Sequence, residues 1–297
     1  MNANITPEKI SIVKISAGAF TQQNLEISVL RLDTIHPVVS GNKWFKLRFE
    51  LEQAIQKGKK IILTFGGAWS NHIVATACCA KQNGLQSIGI IRGEEERQLT
   101  PAMEDARDLG MELIFISRED YRKKKIPVHL SNDSTYIIEE GGYGPLGARG
   151  AATILDIKGT NGYSHICCAA GTGTTLAGLI LAAGPTQTVI GISTLRNNFD
   201  LEKNILSLTG DGHPGYFISH DYHFGGYAKW EPPLIDFMNE WYRQTNIPSD
   251  FVYTGKLFFA IRDLADKKYF PPGSNLLMIH SGGLQGNRSL SKGTLIF

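Results

Sequence analysis

The 297-residue sequence contains a lysine at a position where it could act as a nucleophile. Lys43 follows a Gly-Asn turn in the segment SGNK and precedes two bulky aromatic residues, Trp44 and Phe45. The start of a helix favours anions, so the helix dipole and burial against the aromatic rings would both lower the pKa of this lysine. A lysine with a lowered pKa is suited to Schiff-base chemistry; the alternative is a solvated lysine in a first helical turn.

A second segment, GGAWSNH at 66–72, could bind a carboxylate. A predicted strand runs into its Gly-Gly turn, and Ser70 is placed to cap the helix that follows. The backbone N–H groups there, together with Ser70, Asn71 and His72, would form a cradle for an anion. The alternative interpretation is an ordinary serine N-cap.

A third segment, GTGTTLAG at 171–178, is typical of a phosphate site. A strand passes into a loop of glycine and threonine and then into a helix, which combines free amides, hydroxyls and a helix N-terminus. It is not a Walker loop, and Leu176 occupies the third glycine position of a dinucleotide fingerprint. Because no acidic residue closes the next strand at 193–196, phosphate without a nucleotide is favoured over a nucleotide-dependent dehydrogenase.

Several classes of function are excluded by the rest of the sequence. The eight histidines lack metal-ligand spacing, so no metal site is predicted, and no GxSxG hydrolase elbow occurs. Thirty Lys and Arg against 28 Asp and Glu give a net charge of +2 without a basic face, so no nucleic acid is expected. The cysteines, in the adjacent pairs 78–79 and 167–168, indicate small core residues in a reduced, cytoplasmic protein.

No membrane or secretory segment is expected. The first ten residues have neither the basic start nor the apolar core of a secretory signal. The longest charge-free stretch, 166–195, is interrupted by Gly171, Gly173, Gly184 and Pro185. It is therefore predicted as a strand, a loop, a short helix and a second strand.

Short apolar runs alternate with helical segments, which predicts mostly parallel sheets built from βαβ units. Ligands of such sheets bind beyond the carboxyl ends of the strands, where helices begin. Strands are predicted at 26–32, 60–64, 87–91, 112–116, 136–138 and 165–169, and near Val189 and Leu276. Helices are predicted at 43–57, after Ser70, at 101–110 and 145–157, from Thr174, and near Pro232 and Lys256.

A lysine with a lowered pKa, a phosphate loop and a carboxylate cradle together meet the needs of pyridoxal phosphate and an amino-acid substrate. The segments SGNKWFKL, GGAWSNH, GTGTTLAG and VYTGK, in this order, resemble the pyridoxal-phosphate enzymes of the tryptophan synthase β-like fold. Within that fold the chain is most similar to the 1-aminocyclopropane-1-carboxylate deaminase and D-cysteine desulfhydrase family, from about residue 42 to residue 283.

The resemblance implies an α/β fold of two open, twisted, mostly parallel sheets flanked by helices, with the cofactor in the cleft between two domains. The larger domain would comprise 1–43 and 143–297, and the smaller domain 44–142. It also implies a homodimer that acts on a small amino acid.

By the same resemblance, Lys43 binds pyridoxal 5'-phosphate covalently and acts in catalysis, and Ser70 is catalytic and binds the substrate carboxylate. Asn71 would contact the cofactor's phenolic oxygen, and His72 would lie with Ser70 and Asn71 at the substrate. The phosphate would be held by Lys46, Thr172, Gly173, Thr174 and Thr175.

Two tyrosines and a threonine bear on the substrate. Tyr253 matches one of the two tyrosines of the family's substrate site, and Tyr227 is assigned to the other. The resemblance implies that both are catalytic and that one of them orients the substrate side chain or shuttles a proton. Thr254 stands where the deaminases carry a glutamate beside the pyridine nitrogen; Ser281 is the alternative contact. A hydroxyl leaves the ring a weaker electron sink than a carboxylate does, which favours β-elimination over opening of a cyclopropane.

The predicted reaction is therefore conversion of D-cysteine to pyruvate, ammonia and hydrogen sulfide. The alternatives are a 1-aminocyclopropane-1-carboxylate deaminase that forms 2-oxobutyrate and ammonia, and a non-catalytic protein that binds pyridoxal phosphate or an amino acid.

Overall fold

The computed structural model describes residues 10–15, 24–94, 98–211, 213 and 215–297. Within these residues ten strands form two mostly parallel sheets, which confirms the predicted fold class. The strands are β1 (Ile12–Ile15), β2 (Glu26–Arg31), β3 (Ile61–Gly66), β4 (Gln86–Arg92), β5 (Met111–Ile116), β6 (Thr135–Ile138), β7 (His165–Ala170), β8 (Thr188–Ser193), β9 (Tyr216–Ser219) and β10 (Asn275–His280).

The larger sheet has the order β1-β2-β10-β7-β8-β9, with β1 antiparallel to β2 and the other pairs parallel. The smaller sheet, β5-β4-β3-β6, is parallel throughout. Its strands lie between residues 61 and 138, within the range predicted for the smaller domain. The domain boundaries themselves stay a prediction, and residues 1–9 and 16–23, with most of the segment searched for a secretory signal, lie outside the described residues.

Helices flank both sheets. Where the sequence predicts a helix, the structure has one, and the stretch 166–195 folds as a strand, a loop, a helix and a strand. The α-helices of the described residues are α1 (Asn42–Gln56), α2 (Asn71–Gln82), α3 (Pro101–Asp108), α4 (Arg118–Arg122), α5 (Pro145–Ala152), α6 (Thr174–Ala182), α7 (Leu201–Thr209), α8 (Pro232–Thr245) and α9 (Thr254–Asp266).

The helix predicted at 145–157 is too long, because α5 ends at Ala152. After this residue the backbone bonds join residues three apart, as between Ile154 N and Ala151 O, and form successive tight turns. The Thr153 hydroxyl also donates to Gly150 O at 2.7 Å and competes for a helical carbonyl. The short elements β1, α4, α7 and β9 were not predicted.

None of the described helices is long and apolar enough to cross a membrane. The four cysteines are buried and form no disulfide, as expected for small core residues. The described residues contain no group of three or more His, Cys, Asp or Glu side chains that could hold a metal ion.

Helix α1, which carries Lys43, packs against α5, and α5 packs against α6. These contacts depend on glycines: a Cβ at Gly150 would lie 2.0 Å from Phe45 O, and one at Gly178 would lie 2.4 Å from Ala148 O. The three helices approach so closely that their backbones are in contact. The packing thereby fixes the start of α1 relative to the start of α6.

We expect Gly150→Ala to lower the free energy of unfolding by about 1–3 kcal/mol, because the added methyl group forces two backbones apart. Gly162→Ala is the matched control, since a Cβ there meets no atom within 4 Å. Urea denaturation of both variants measures the difference. Equal stability of the two variants would contradict this account of the packing.

Candidate active site

A cavity of about 430 Å³ lies at the carboxyl ends of strands from both sheets. Its wall is formed by the start of α1, the loops that lead from β3 into α2 and from β7 into α6, and the turn after β10. Open α/β sheets bind their ligands at this place. The predicted site residues that line the cavity are Lys43, Lys46, Ser70, Asn71, His72, Thr172, Gly173, Thr174, Thr175, Tyr227 and Tyr253.

Lys43 is the second residue of α1 and is half-buried in the cavity wall. Its Nζ donates a hydrogen bond to Asn42 Oδ1 at 2.9 Å and lies 5.8 Å from the centroid of the Tyr253 ring. Burial lowers the pKa of Lys43 to about 8, although the negative charge of Asp250 acts in the opposite direction. An appreciable fraction of the amine is therefore neutral, and thus nucleophilic, just below pH 8.

A close approach of two backbones sets the position of Lys43. Gly41 has a φ of +67°, and a Cβ at this residue would lie 1.9 Å from Ser281 O. The next residue, Asn42, donates its backbone N–H to the same Ser281 oxygen at 3.2 Å. Only glycine fits at position 41, which explains the Gly-Asn turn before the lysine.

Lys46 lies one turn further along α1 and is only 4% exposed. Among the described residues, no carboxylate or hydrogen-bond acceptor contacts its ammonium group. Burial and the positive charge of Lys43 hold the pKa of Lys46 well below its usual value. Lys46 is buried except where it lines the cavity, so an ammonium group without a partner there is suited to bind an anion.

The start of α6 supplies further groups for that anion. Gly173 precedes the helix with a φ of +88°, and no side chain caps the helix N-terminus. Thr174 and Thr175 are buried there, and the hydroxyls of Thr172 and Thr174 are 3.1 Å apart. The Asn42 amide donates to Thr175 Oγ1 at 2.8 Å and so connects this helix to α1. Uncapped N–H groups and a nearby lysine suit a phosphate.

The segment predicted to bind a carboxylate lies at the start of α2. Ser70 caps this helix, and its Oγ accepts the backbone N–H of Ile73 at 3.4 Å. Asn71 donates its side-chain amide to Gly283 O at 3.5 Å, whereas its Oδ1 is buried without a partner. Ser70 is therefore an N-cap that also faces the cavity, so the two interpretations of the sequence are compatible.

His72 is buried in the cavity wall and is neutral. The single proton of the Thr64 hydroxyl is donated to Ile138 O at 2.7 Å, so His72 Nε2 must donate to Thr64 Oγ1 at 2.8 Å. The other ring nitrogen, Nδ1, is buried without a partner. Burial and the charges of Lys46 and Lys43 hold the His72 pKa well below its usual value.

The two predicted tyrosines meet at the cavity. Their rings are 6.4 Å apart in an edge-to-face arrangement, and the Tyr253 ring would contact a Cβ at Gly171 at 3.3 Å. Burial raises the pKa of both phenols, that of Tyr253 well above its usual value. Both hydroxyls therefore stay protonated at neutral pH and can donate hydrogen bonds. Tyr227 is 39% exposed and lies at the mouth.

Thr254 is the predicted site residue that the structure does not bring to the cavity wall. Its hydroxyl donates to Asp250 Oδ1 at 2.7 Å and accepts the backbone N–H of Asp250, also at 2.7 Å. The Asp250 carboxylate accepts three backbone N–H groups at the start of α9 as well, from Val252, Tyr253 and Thr254. Ser281, the alternative contact, does line the cavity.

Three charged residues of the cavity wall were not predicted from the sequence. Arg92 ends β4, Glu140 follows β6, and Arg196 follows β8. Glu140 is ion-paired with Lys124 at 3.3 Å, whereas neither arginine has an ion-pair partner among the described residues. Their position just after parallel strands is the signal that could have revealed them.

No protein-family model matches the chain. A Thermotoga maritima protein with the provisional name 1-aminocyclopropane-1-carboxylate deaminase is 30% identical over 283 residues, which cover 88% of this chain and 89% of that protein. The bifunctional mitochondrial D-cysteine desulfhydrase/1-aminocyclopropane-1-carboxylate deaminase of Arabidopsis thaliana is 26% identical over 296 residues, with coverages of 88% and 73%. The solved structure of a 1-aminocyclopropane-1-carboxylate (ACC) deaminase homologue has a TM-score of 0.79 at 28% identity and covers 94% of this chain and 90% of its own.

Proposed function

Because this chain belongs to the 1-aminocyclopropane-1-carboxylate deaminase and D-cysteine desulfhydrase family of pyridoxal-phosphate enzymes, we propose that it catalyses β-elimination from a small amino acid, with D-cysteine as the first candidate. One observation carries the proposal. A lysine with a lowered pKa and a buried lysine without a partner occupy successive turns of α1 and face the same cavity as the uncapped N-terminus of α6.

The residues of the cavity fit pyridoxal phosphate. Lys46 and the start of α6 would hold the phosphate, and Lys43 would bind the aldehyde covalently. The buried, partnerless Oδ1 of Asn71 is an acceptor for a protonated group of the cofactor. A volume of about 430 Å³ is typical of small-molecule sites. When bound, the cofactor supplies an electron sink for bonds that break at the substrate's α-carbon.

The protein's own groups would perform the remaining steps. Ser70 and the N–H groups at the start of α2 would hold the substrate carboxylate. The Lys43 amine would act as the base that removes the α-proton of the substrate. The protonated hydroxyls of Tyr253 and Tyr227 would orient the side chain and donate a hydrogen bond to the departing thiolate. With one water, D-cysteine yields pyruvate, ammonia and hydrogen sulfide.

We further propose that Ser281, rather than Thr254, contacts the pyridine nitrogen. The Thr254 hydroxyl is already occupied as donor and acceptor by Asp250, whereas Ser281 lines the cavity. Either residue offers an uncharged hydroxyl, so the predicted preference for β-elimination over ring opening is unchanged. By likeness to the family we also expect a homodimer. We expect it in the cytoplasm, where four cysteines without disulfides would stay reduced.

The rate at which the cofactor-free protein binds pyridoxal phosphate covalently should depend on pH. Below the Lys43 pKa of about 8 the amine is charged and unreactive, so the rate rises with pH and levels off above this value. An ordinary lysine would continue to gain reactivity up to about pH 10.4. Stopped-flow absorbance from about pH 6.5 upward, where the cofactor phosphate is largely dianionic, measures this profile. A rate that still rises tenfold per unit above about pH 9 would contradict the shift.

The proposed reaction is tested by supplying D-cysteine, L-cysteine and 1-aminocyclopropane-1-carboxylate separately to the protein loaded with pyridoxal phosphate. We expect pyruvate and sulfide from D-cysteine and no 2-oxobutyrate. Formation of 2-oxobutyrate would support the deaminase function that the names of the relatives suggest. Covalent cofactor without turnover of a wider amino-acid panel would support a non-catalytic binding protein.

A further inference from the structure

The lysine of the VYTGK segment is buried outside the cavity wall. Lys256 lies in α9 and is 0% exposed. Its Nζ donates to three backbone carbonyls: His223 O and Gly226 O, each at 2.8 Å, and Thr194 O at 3.4 Å. No carboxylate of the described residues forms an ion pair with it. Burying an ammonium group whose only hydrogen-bond acceptors are main-chain carbonyls costs free energy, which indicates that this lysine has a specific role.

The carbonyls belong to two segments at the cavity. His223 and Gly226 belong to the loop 223–230, which has no regular secondary structure. They are the ends of one tight turn, and Gly226 O also accepts Lys229 N in a second turn that contains Tyr227. Thr194 directly follows β8 and donates its backbone N–H to Ala170 O, the last residue before the phosphate loop. Lys256 thus joins the loop that carries Tyr227 to the strand ends that carry the candidate phosphate site.

We propose that Lys256 is a positioning residue that holds loop 223–230 so that Tyr227 stands against Tyr253 at the cavity mouth. This proposal rests on the proposed function, because that function gives Tyr227 its role at the substrate. Near the start of the loop, Phe224 packs edge-to-face on Phe259 with ring centroids 4.9 Å apart. The two glycines that follow, at φ +87° and +117°, separate this anchor from Tyr227, so Lys256 provides the second attachment point.

Lysine suits this task because its ammonium group offers three donors on one atom, which matches three carbonyls that converge from two segments. The flat guanidinium of arginine presents its donors in one plane and is larger. A methionine of similar volume would leave the carbonyls of His223 and Gly226 without this donor. We therefore expect substitution to loosen the loop and not the helix that carries the lysine.

The test compares Lys256→Met with Lys267→Met, an exposed lysine directly after the same helix. In the cofactor-free proteins, amide hydrogen exchange of residues 223–230 should be about tenfold faster or more in Lys256→Met alone. Pyridoxal phosphate should still bind covalently to both. The kcat/KM of Lys256→Met for the best substrate should fall about 10- to 100-fold.

A double-mutant cycle with Tyr227→Phe separates positioning from a general structural role. If Lys256 acts through Tyr227, adding Lys256→Met to Tyr227→Phe should cost no more than about threefold in kcat/KM. Additive losses, or exchange that is unchanged at 223–230 or faster throughout α9, would overturn the proposal. Lys256→Gln, which keeps two donors, provides the same comparison if the methionine variant does not fold. Should the wild-type protein turn over no amino acid, the proposed function fails, and the exchange data still decide whether Lys256 holds the loop.

Discussion

Lys43→Ala should reduce turnover by a factor on the order of a thousand or more and should abolish covalent attachment of pyridoxal phosphate. The same amine is proposed to bind the cofactor and to remove the α-proton, so no other group replaces it. Lys46 and the start of α6 remain, and the cofactor should still bind non-covalently. Absorbance before and after borohydride reduction, together with pyruvate release, measures both effects.

Lys43→Arg and Lys57→Ala are the matched controls for this substitution. Arginine keeps the positive charge but is not a nucleophile, so it should be as inactive as alanine. Lys57 is exposed directly after the same helix and should be replaceable without effect. Retention of turnover or of a borohydride-reducible cofactor in Lys43→Ala would refute the assignment of this lysine.

Lys46→Met should have opposite effects on cofactor binding and on stability. Loss of a buried charge that pairs with the phosphate should weaken pyridoxal phosphate binding by about 2–4 kcal/mol, which is roughly 30- to 1,000-fold in Kd. The cofactor-free protein should become more stable, because Lys46 is 4% exposed and has no partner among the described residues. Replacing a buried ion pair with apolar side chains of similar volume is often neutral or stabilises by about 1–4 kcal/mol, and a buried charge without a partner has no such attraction to offset its burial.

Thermal unfolding with and without cofactor measures both effects in one experiment. Wild type should show the lower melting temperature without the cofactor and the larger rise when the cofactor is added. Lys57→Met should behave as wild type in both conditions. If Lys46→Met destabilises the cofactor-free protein, or binds the cofactor as tightly as wild type does, then Lys46 is a structural lysine and not a phosphate ligand.

The elements that the sequence predicted are those with a strong local pattern. Buried strands such as β7 are continuous apolar runs, and α3 begins with a proline in its first turn. The unpredicted strands β1 and β9 have four residues each and α4 has five, too few for a period to show. The end of α5 was misplaced because the apolar pattern continues beyond it. The helix ends where the Thr153 hydroxyl donates a hydrogen bond to the helical carbonyl of Gly150.

The sequence by itself determined the chemical groups of this site and their order along the chain. Glycine turns, a capping serine and a Gly-Thr loop are local motifs that fold similarly wherever they occur. Lys43, Ser70 and the loop at 171–175 could therefore be found without a structure.

Only the tertiary structure decided what surrounds those groups. Burial and long-range contacts left Lys46 without a partner, attached Thr254 to Asp250, and placed Lys256 among carbonyls up to 62 residues away in the chain. A pKa and a free hydroxyl depend on neighbours in space, and local sequence patterns do not contain those neighbours.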